Sequence, residues 1–374
     1  TIWSYVGLKQ EKAEVKLAVA GCLVQGFGNE AKDGFPEVDY WLLGPDDEEG
    51  LQKLIKDFGG RRSALLNHSC RPILLGEPGS AYLKVAEGCN NRCSYCSIPL
   101  IKGPLASRSI DEIDSDAASL IEQGVKEVVL IAQDLTAYGT DRSDGSSLTK
   151  LVKKVLTHPF AWVRLMYVYP QRIDDELIEL LASEDRLCPY LDVPFQHCNE
   201  KVLNLMGRKG NKDEYLALIQ KLRDKIPNMV LRTTFLVGHP GEGEKEFEEL
   251  KSFVEEAKFE WLGVFPYSPE ENTPSFEMKD RPSSATAIKR AEEIELLYRA
   301  ARQSSAFGVG SVKEALVIDD VDDILVCRSM SEAPEVDGVI LARKEGPAPS
   351  LGEITELKLL GADELDFVGQ LIGS

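Results

Sequence analysis

The stretch AYLKVAEGCNNRCSYC, residues 81–96, joins a short apolar run to a loop that carries three cysteines. Cys89, Cys93 and Cys96 follow C-x3-C-x2-C spacing, and the next cysteine or histidine along the chain is His158. A structural zinc site completes its tetrahedron with a fourth ligand at short range, whereas a four-iron cluster held at three irons keeps its fourth iron open. The spacing therefore favours an iron–sulfur cluster, and zinc remains the alternative.

The chain around this loop repeats one pattern, in which a short run rich in β-branched residues is followed by a turn and an amphipathic stretch. Six such runs occur, at residues 81–88, 126–134, 162–170, 190–197, 229–238 and 261–268. The amphipathic stretches include residues 115–124, 174–184, 213–226 and 244–258. Strands that alternate with helices pair in parallel through right-handed crossovers. The pattern predicts a partial (β/α)6 barrel of the TIM type, with its chemistry at the carboxyl ends of the strands.

Two smaller regions flank the repeating one. The run VKLAVAGCL (15–23) and the segment VDYWLLG (38–44), which a helical stretch follows, predict an alternating α/β piece. From about residue 308, short apolar runs between Gly, Pro, Asp and Ser turns predict a small antiparallel β-barrel. We therefore expect an α/β protein with three domains: a partial amino-terminal α/β domain (1–72), the partial barrel (73–306) and a terminal β-barrel (307–374).

The charge of the chain limits its partners. The 374 residues carry a formal net charge of −19, from 62 acidic and 43 basic side chains. Residues 308–374 hold fourteen of the acids and five of the bases, a net charge of −9. This balance argues against a surface that follows a phosphate backbone, and it favours a basic partner or simple solubility. We expect neither a secretory signal nor a membrane span, and hence a cytoplasmic protein with reduced thiols.

The segment CNNRCSYC, residues 89–96, resembles the cluster-binding loop of the radical S-adenosylmethionine (SAM) enzymes. Four further segments resemble the methylthiotransferases of that superfamily: SIPLIKGPLASR (97–108), AQDLTAYG (132–139), PFQHCNEKVLNLMGR (194–208) and VGHPGE (237–242). The likeness extends over essentially the entire chain. Enzymes of this family insert sulfur into an unactivated C–H bond and methylate it, so the resemblance implies a transferase.

Two branches of the family are candidates. One, MiaB-like, modifies adenosine in transfer RNA and calls for a basic terminal barrel. The other modifies the β-carbon of one aspartate in small-subunit ribosomal protein twelve, and its acidic terminal barrel, a TRAM domain, grips that basic protein. The segments SEAPEVDG (331–338) and GADELDFVGQLIG (361–373) resemble the second branch, and the acidic balance agrees with it. A non-catalytic scaffold that binds a metal or a cluster is the third hypothesis.

The resemblance also implies cofactors. Cys89, Cys93 and Cys96 would be the catalytic ligands of a radical [4Fe–4S] cluster, and SAM on its open iron would yield a 5′-deoxyadenosyl radical after reduction. A donor such as flavodoxin or ferredoxin would supply the electron. A second [4Fe–4S] cluster carries the donated sulfur in the family. Cys22 resembles the last of its three ligands, and the other two would precede Thr1. We expect a truncated chain in which Cys70 does not replace them, so that the second cluster does not form.

Six further residues are candidates for contact with SAM: Tyr95, Gln133, Asp134, Arg164, Gln196 and Gly238. An aromatic ring beside the cluster could lie against the adenine, and polar groups at strand ends could hold the ribose or the methionyl part. Ordinary packing and turn capping are the alternatives. Arg108 could bind a carboxylate in the site, but a surface ion pair explains it equally well. His197 could serve the site, but a buried structural histidine explains it equally well. Gly241 flanks the same turn as Gly238. The remaining cysteines are expected to be unligated: Cys188, Cys198 and Cys327.

Overall fold

The structure is a computed structural model, and it describes residues 2–12, 15–42, 47–57, 76–305, 308–344 and 348–372. The chain forms two compact units. One consists of residues 1–71 with 97–104, and the other of residues 72–96 with 105–374. In the described part of the chain, no helix has both the length and the apolar composition that crossing a bilayer requires.

The smaller unit contains a parallel pair of short strands, β1 (Ala18–Ala20) and β2 (Tyr40–Leu42). Its helices are α1 (Ile2–Glu11), α2 (Cys22–Gly34), α3 (Glu48–Asp57) and α4 (Ile98–Lys102). The predicted strand over VKLAVAGCL is shorter than expected, because the chain turns at Gly21, where φ is 108°, and α2 begins at the next residue. Glycine adopts this conformation without strain.

The larger unit is built on an all-parallel sheet of six strands in the order β10-β9-β8-β7-β6-β3. Its strands, with a two-stranded ribbon, are β3 (Ser80–Lys84), β4 (Ala86–Glu87), β5 (Ala106–Ser107), β6 (Glu127–Ile131), β7 (Trp162–Leu165), β8 (Leu187–Asp192), β9 (Val230–Val237) and β10 (Trp261–Pro266). Its helices are α5 (Ile110–Glu122), α6 (Leu148–Val155), α7 (Asp175–Ser183), α8 (Glu200–Leu205), α9 (Lys212–Lys225), α10 (Glu244–Ala257) and α11 (Ser284–Ser305). The α/β class and the partial barrel are confirmed.

Sequence features explain where α5 begins and where β8 ends. Ser109 opens α5 with a capping box, since its hydroxyl accepts from the Glu112 N–H at 3.2 Å and the Glu112 carboxylate accepts from the Ser109 N–H at 2.8 Å. Strand β8 ends at Asp192 rather than at the predicted residue 197. Beyond Asp192 the regular strand is interrupted, because Pro194 lacks an N–H and Gln196 has φ 67°.

The terminal domain is a closed five-stranded barrel in the order β11-β12-β13-β15-β14. Its strands are β11 (Val312–Val321), β12 (Ile324–Ser329), β13 (Ile340–Arg343), β14 (Ile354–Asp363) and β15 (Asp366–Leu371). The predicted small barrel is confirmed with one difference, because β13 and β15 pair in parallel while the other neighbours are antiparallel. Closure leaves this small sheet with no open edge.

The two faces of the six-stranded sheet pack against different partners. Because strand side chains alternate, Val128 and Leu130 point to the core beneath the helices, whereas Val129 belongs to a second core shared with the terminal barrel. In that second core the Trp261 and Phe367 rings meet edge to face, with centroids 6.4 Å apart. The terminal barrel therefore fills one face of the partial barrel.

A buried ionic cluster joins the sheet to the terminal barrel. The Glu127 carboxylate pairs with Arg164 Nε at 2.8 Å and with Arg328 Nη2 at 2.6 Å, and all three side chains are at most 1% exposed. Arg328 Nε also pairs with Glu77 at 2.6 Å. Two guanidinium groups thus share two carboxylates, which is the compensation that buried charges require.

The segment 331–338, which we call the docking loop, makes a second set of polar contacts with the sheet. The Trp261 indole N–H donates to the Ser331 carbonyl at 2.7 Å, and the Tyr190 hydroxyl donates to Asp337 at 2.7 Å. Arg232 Nε lies 3.3 Å from the other Asp337 oxygen. The docking loop is thereby tied to strands β8, β9 and β10.

Candidate functional site

The cysteine loop leaves the edge of the six-stranded sheet directly after β3. The antiparallel pair β4 and β5 forms the base of the connection in which the loop lies. Asn90 also closes this base, because its side-chain oxygen accepts the Leu105 N–H at 3.1 Å. The loop is therefore anchored at both ends beside the carboxyl end of β3, as the sequence predicts.

The three cysteines of the loop are half-exposed, and no disulfide joins any cysteine that the structure describes. The Cys89 sulfur accepts the Asn91 N–H at 3.4 Å, and burial raises the pKa of its thiol. Among the described residues, no three cysteine, histidine or carboxylate side chains are already gathered around one metal-binding point. The donor set still suits iron, because thiols on a short loop lose their protons and converge when the metal binds.

The loop that follows α8 supports the cysteine loop from one side. The Ser94 N–H donates to the Met206 carbonyl at 2.8 Å, and Gly207 has φ 72°. A Cβ at position 207 would lie 2.4 Å from the Arg92 carbonyl oxygen, so only glycine allows this approach. Arg208 is 6% exposed, and its Nη1 lies 3.8 Å from the Cys93 sulfur. A fixed positive charge is therefore next to one candidate ligand.

The turn after β9 supports the loop from another side. Burial lowers the pKa of His239 to about 4, so its imidazole is neutral near pH 7. We infer that Nδ1–H donates to the Pro240 carbonyl at 2.9 Å, which leaves Nε2 to accept from the Ser94 hydroxyl at 3.2 Å. The His239 ring also meets Tyr95 edge to face at a centroid distance of 6.3 Å. His239 thus holds the residues that lie between Cys93 and Cys96.

Asp134 and Gln133 lie where β6 gives way to its following turn. Asp134 is 2% exposed and accepts from Asn91 of the cysteine loop at 2.6 Å, from the Ala137 N–H at 3.2 Å and from Arg172. The carboxylate therefore caps a short turn and orients the cysteine loop. Gln133 Nε2 donates to Glu87 at 3.0 Å, while its buried Oε1 has no hydrogen-bond partner among the described residues. That orphaned oxygen is a group that a bound ligand could satisfy.

Gln196 and Gly238 have unusual backbone conformations. Gln196 has φ 67° and exchanges backbone hydrogen bonds of 2.8 Å with Thr234 and Leu236, so its half-exposed side chain leaves the strand direction. Gly238 has φ 82°, and a Cβ there would lie 2.4 Å from the Ala287 Cβ on α11. Helix packing alone therefore explains the glycine.

The structure does not bring Arg164 to the cysteine loop, and this changes its assignment. Its side chain is fully buried, with Nε on Glu127, Nη1 on the Met330 carbonyl at 2.9 Å and Nη2 on the Ser329 carbonyl at 3.2 Å. The guanidinium also lies 4.8 Å from the Tyr190 ring centroid. These contacts occupy the guanidinium group, which joins the sheet to the terminal barrel. We therefore do not retain Arg164 as a cofactor contact.

The remaining candidates take structural places. Arg108 forms a partly exposed pair with Asp116 at 2.6 Å, and His197 is buried, accepting the Asn199 N–H at 2.9 Å. Burial raises the pKa of the thiol in each of the other three cysteines of the larger unit: Cys188, Cys198 and Cys327. Cys22 is exposed in the first turn of α2, and Cys70 lies outside the described residues.

Three supporting residues received no role from the sequence: Arg172, Arg208 and His239. Two of them stood in visible motifs, since Arg208 ends the segment 194–208 and His239 stands in VGHPGE, whereas Arg172 lay outside every motif. Their contacts were not visible, because each depends on the folded position of a loop that is distant along the chain. The signal that could have identified them is their residue type, because arginine and histidine are the side chains that act on thiols in a folded site.

Comparison with known families supports the assignment of both large domains. The family model of the Radical SAM superfamily matches residues 83–254, and that of the TRAM domain matches residues 309–372. The ribosomal protein uS12 methylthiotransferase RimO of Thermotoga sp. (strain RQ2) is 39% identical over 376 residues, covering 99% of this chain and 86% of that protein. The RimO of Acetivibrio thermocellus is 36% identical over 393 residues, covering 100% of this chain and 86% of that protein.

Solved structures share the fold at low sequence identity. The radical SAM methyltransferase TsrM from Kitasatospora setae, with cobalamin and a [4Fe–4S] cluster bound, superposes with a TM-score of 0.56 at 14% identity. This match covers 74% of the present chain and 62% of TsrM. The cobalamin-dependent radical SAM enzyme OxsB gives a TM-score of 0.50 at 11% identity, over 79% of this chain and 45% of OxsB.

Proposed function

The chain belongs to the ribosomal protein uS12 methylthiotransferase family, and on this premise we propose how its residues perform the reaction. The enzyme adds a methylthio group to the β-carbon of an aspartate in uS12 and is therefore a transferase. The observation that carries the proposal is the cysteine loop, where three thiols lie beside the carboxyl end of β3 and are supported by loops from β6, β8 and β9.

We assign Cys89, Cys93 and Cys96 as the ligands of a [4Fe–4S] cluster. When bound, the cluster and SAM supply a radical that can remove hydrogen from an unactivated carbon. Asn91 and Asp134 orient the loop, and Ser94 is held by His239. Arg208 places positive charge beside Cys93, and its guanidinium helps to hold the loop that carries this ligand.

For SAM itself we propose contacts from Tyr95, Gln133, Asp134, Gln196 and Gly238. Gln133 has the best support, because its buried Oε1 lacks a protein donor among the described residues. The half-buried ring of Tyr95 offers a face or an edge for stacking. Asp134 acts mainly through the loop that it holds. Gly238 is the least supported of the five, because packing against α11 explains the glycine and its N–H already donates to Glu242 at 3.0 Å.

Cys22 is proposed as a ligand of the second, sulfur-donating cluster of the family. Its thiol is exposed in the first turn of α2, where a metal cluster could reach it. The protein substrate is proposed to dock on the acidic terminal barrel, and an acidic flavodoxin or ferredoxin to supply electrons. We also propose a cytoplasmic location, because ribosomal proteins and low-potential donors meet there.

The function is tested anaerobically. The chain is reconstituted with iron and sulfide, iron is counted, and 5′-deoxyadenosine is measured after reduction by dithionite in the presence of SAM. Mass spectrometry of uS12 then measures replacement of one hydrogen by a methylthio group. Cys93→Ser should lose iron and cleavage, whereas Cys198→Ala, at a buried cysteine outside the loop, should retain both. Bound zinc without SAM cleavage would overturn the proposal, and modification of transfer RNA instead of uS12 would favour the other branch.

A further inference from the structure

We propose that a patch of positive charge beside the cysteine loop is the docking surface for an acidic one-electron donor protein. The patch, which we call the cationic patch, consists of Arg92, Arg172, Arg208 and Lys209. The inference rests on the proposed function, because only a chain that needs an electron at the cysteine loop needs such a surface. In the step itself the donor loses one electron and the iron site gains it, and no bond forms or breaks.

Contacts among three loops assemble the cationic patch. Arg92 lies between two of the candidate cysteine ligands, and its carbonyl packs directly against Gly207. Arg172 Nη2 donates to the Asn91 side chain at 2.9 Å. The Arg172 and Arg208 guanidinium carbons lie 4.8 and 4.3 Å from the centroid of the same ring, that of Tyr169.

Lys209 is tied into the same assembly through its backbone. Its carbonyl accepts from the Tyr215 hydroxyl at 2.8 Å and from the Gln171 side-chain amide. Because Gln171 precedes Arg172, this contact links the loop after β7 to the loop after α8. The backbone of the patch is therefore fixed, and so are the guanidinium groups of Arg172 and Arg208.

The cationic patch keeps most of its charge. Among the described residues, only Arg172 has an ion-pair partner, Asp134. Arg208 is buried, and its Nε has no hydrogen-bond partner in the described part of the chain. Arg92 and Lys209 are exposed. Four cations stand against one paired carboxylate and the nearby cluster ligands, so the patch is locally more positive than the chain as a whole, whose net charge is −19.

Nearby acids cancel only part of this charge, since two of the three that follow Arg172 are paired with lysines. Asp174 caps α7 at 2.9 Å from the Leu177 nitrogen, Asp175 pairs with Lys221, and Glu176 pairs with Lys153. Asp213 and Glu214 are exposed in the first turn of α9 and border the patch on the side of Lys209. A field of this kind steers an oppositely charged partner to one place on the surface.

Position distinguishes an electron donor from a nucleic acid as the partner. Arg208 lies 3.8 Å from the Cys93 sulfur, so a protein docked on the patch comes as close to the iron ligands as the backbone allows. Electron transfer slows steeply with distance, which makes this closeness useful to a donor. Recognition of RNA instead calls for an extended basic surface with stacking aromatics. The patch is small, and the Tyr169 ring is covered by two guanidinium groups.

The test compares two reductants on the reconstituted holoenzyme. Cleavage of SAM to 5′-deoxyadenosine is measured with dithionite, a small molecule, and with photoreduced flavodoxin, an acidic protein. The variants are Lys209→Glu and Lys209→Gln, because the described contacts of Lys209 use its carbonyl and survive the change of side chain. We expect the flavodoxin-driven rate constant to fall about three- to tenfold for Lys209→Glu and less for Lys209→Gln. The dithionite-driven rate should be unchanged.

Matched charge reversals provide the control. Lys126 and Lys225 are exposed and precede β6 and β9, at the amino ends of the strands. Lys126→Glu and Lys225→Glu should leave both rates unaltered. Arg92→Glu gives a second arm, with its flavodoxin-driven rate divided by the dithionite-driven rate to correct for any loss of iron. A lowered ratio supports the inference.

Several outcomes would overturn the inference. One is an equal flavodoxin-driven rate in Lys209→Glu and in the two controls, while dithionite still supports cleavage and hence the proposed function. Another is loss of RNA binding in Lys209→Glu with an unchanged flavodoxin-driven rate, which would assign the patch to a nucleic acid. Failure of the original chain to cleave SAM with either reductant would instead remove the proposed function and, with it, the inference.

Discussion

Gly207 illustrates how much the cysteine loop depends on single residues. Its φ of 72° favours glycine, and a Cβ would lie 2.4 Å from the Arg92 carbonyl oxygen, a backbone atom. Since neither backbone can move without the other, a side chain here must displace the cysteine loop. The position of Cys93, a proposed cluster ligand, therefore relies on the absence of a methyl group in a different loop.

We predict that Gly207→Ala lowers the iron content after reconstitution several-fold while the protein remains folded. Gly124→Ala is the matched control, because Gly124 also has positive φ, 84°, but a Cβ there would meet nothing within 4 Å. The control carries the backbone strain without the clash. Iron per chain and the circular dichroism spectrum are the measurements. Equal iron content in the two variants would show that the close approach does not position the loop.

Glu127 is the residue on which the buried ionic cluster depends. Burial alone would raise the pKa of its carboxyl, but Arg164 and Arg328 outweigh burial and lower the pKa to about 2. Removing the charge leaves both guanidinium groups buried with less compensation. Glu127→Gln should therefore lower the free energy of unfolding by about 3–5 kcal/mol.

This deficit should depend on pH. A carboxyl whose folded-state pKa lies below its unfolded value of 4.5 stabilises the protein fully above that pH and loses the contribution as pH falls toward 2. The deficit of Glu127→Gln in urea unfolding should therefore shrink below about pH 4.5. Asp116→Asn, in the partly exposed pair with Arg108, is the control, with an expected cost under about 1 kcal/mol. A constant deficit at all pH values would contradict the assignment.

At the scale of elements, sequence periodicity was sufficient for the sheet. Alternating runs such as 229–238 became strands, because one face of each run meets helices and the other meets a second apolar layer. Periodicity could not identify that second layer. The inner face binds the terminal barrel, and Arg164 was accordingly misplaced, since a charge in a strand signals burial with a partner but not which partner.

The cysteine loop shows the same limit in the candidate site. Its three thiols and their spacing were visible in the sequence, as was the glycine-rich turn around His239. The supporting contacts from Arg208, His239 and Asn91 depend on loops that meet only after the sheet forms. Such contacts have no periodic signature, so sequence patterns alone could not predict them.

The docking loop leads to a prediction at this scale. Burial raises the pKa of Asp337 to about 6, although Arg232 and Tyr190 partly offset the effect. Because the folded-state pKa exceeds the unfolded value of 3.8, this group's contribution favours folding at low pH and is lost as pH rises through about 4 to 6. Asp337→Asn removes the titration. The stability of the variant relative to the original chain should therefore rise by about 1–3 kcal/mol between pH 4 and pH 7.

Urea unfolding at several pH values measures this difference. Asp319→Asn, at an exposed carboxylate of the same barrel, controls for the loss of one charge. If the difference in stability between Asp337→Asn and the original chain does not change across this range, burial does not raise the pKa of Asp337 in the docking loop.

At the scale of the whole molecule, charge is distributed by function. The terminal region carries −9 of the total −19, and its exposed hairpin between β11 and β12 contains Asp319, Asp320, Asp322 and Asp323. We propose that this acidic surface steers a basic ribosomal protein to the terminal barrel. The cationic patch lies on a different domain, so two partners of opposite charge can be bound at two places.

Replacing those four aspartates by lysine should weaken uS12 binding by about tenfold or more, mainly through slower association. A control variant makes the same change in net charge on the outer helices, through Glu179→Lys, Asp224→Lys, Glu248→Lys and Glu255→Lys. Association is measured at two salt concentrations, and SAM cleavage in the absence of uS12 confirms that each variant is intact. Equal weakening by both sets would contradict docking on the terminal barrel.

The terminal barrel covers the inner face of the sheet, and this has a consequence while the chain is being synthesised on the ribosome. Glu127 and Arg328 are 201 residues apart, a separation of roughly 10–40 s at about 5–20 residues per second. Until Arg328 emerges, a nascent chain exposes the apolar inner face around Trp162 and Tyr190, together with a carboxylate that has only one of its two arginine partners. The catalytic half of the nascent chain thus spends that interval as a client for chaperones, and translation of the terminal barrel ends its exposure.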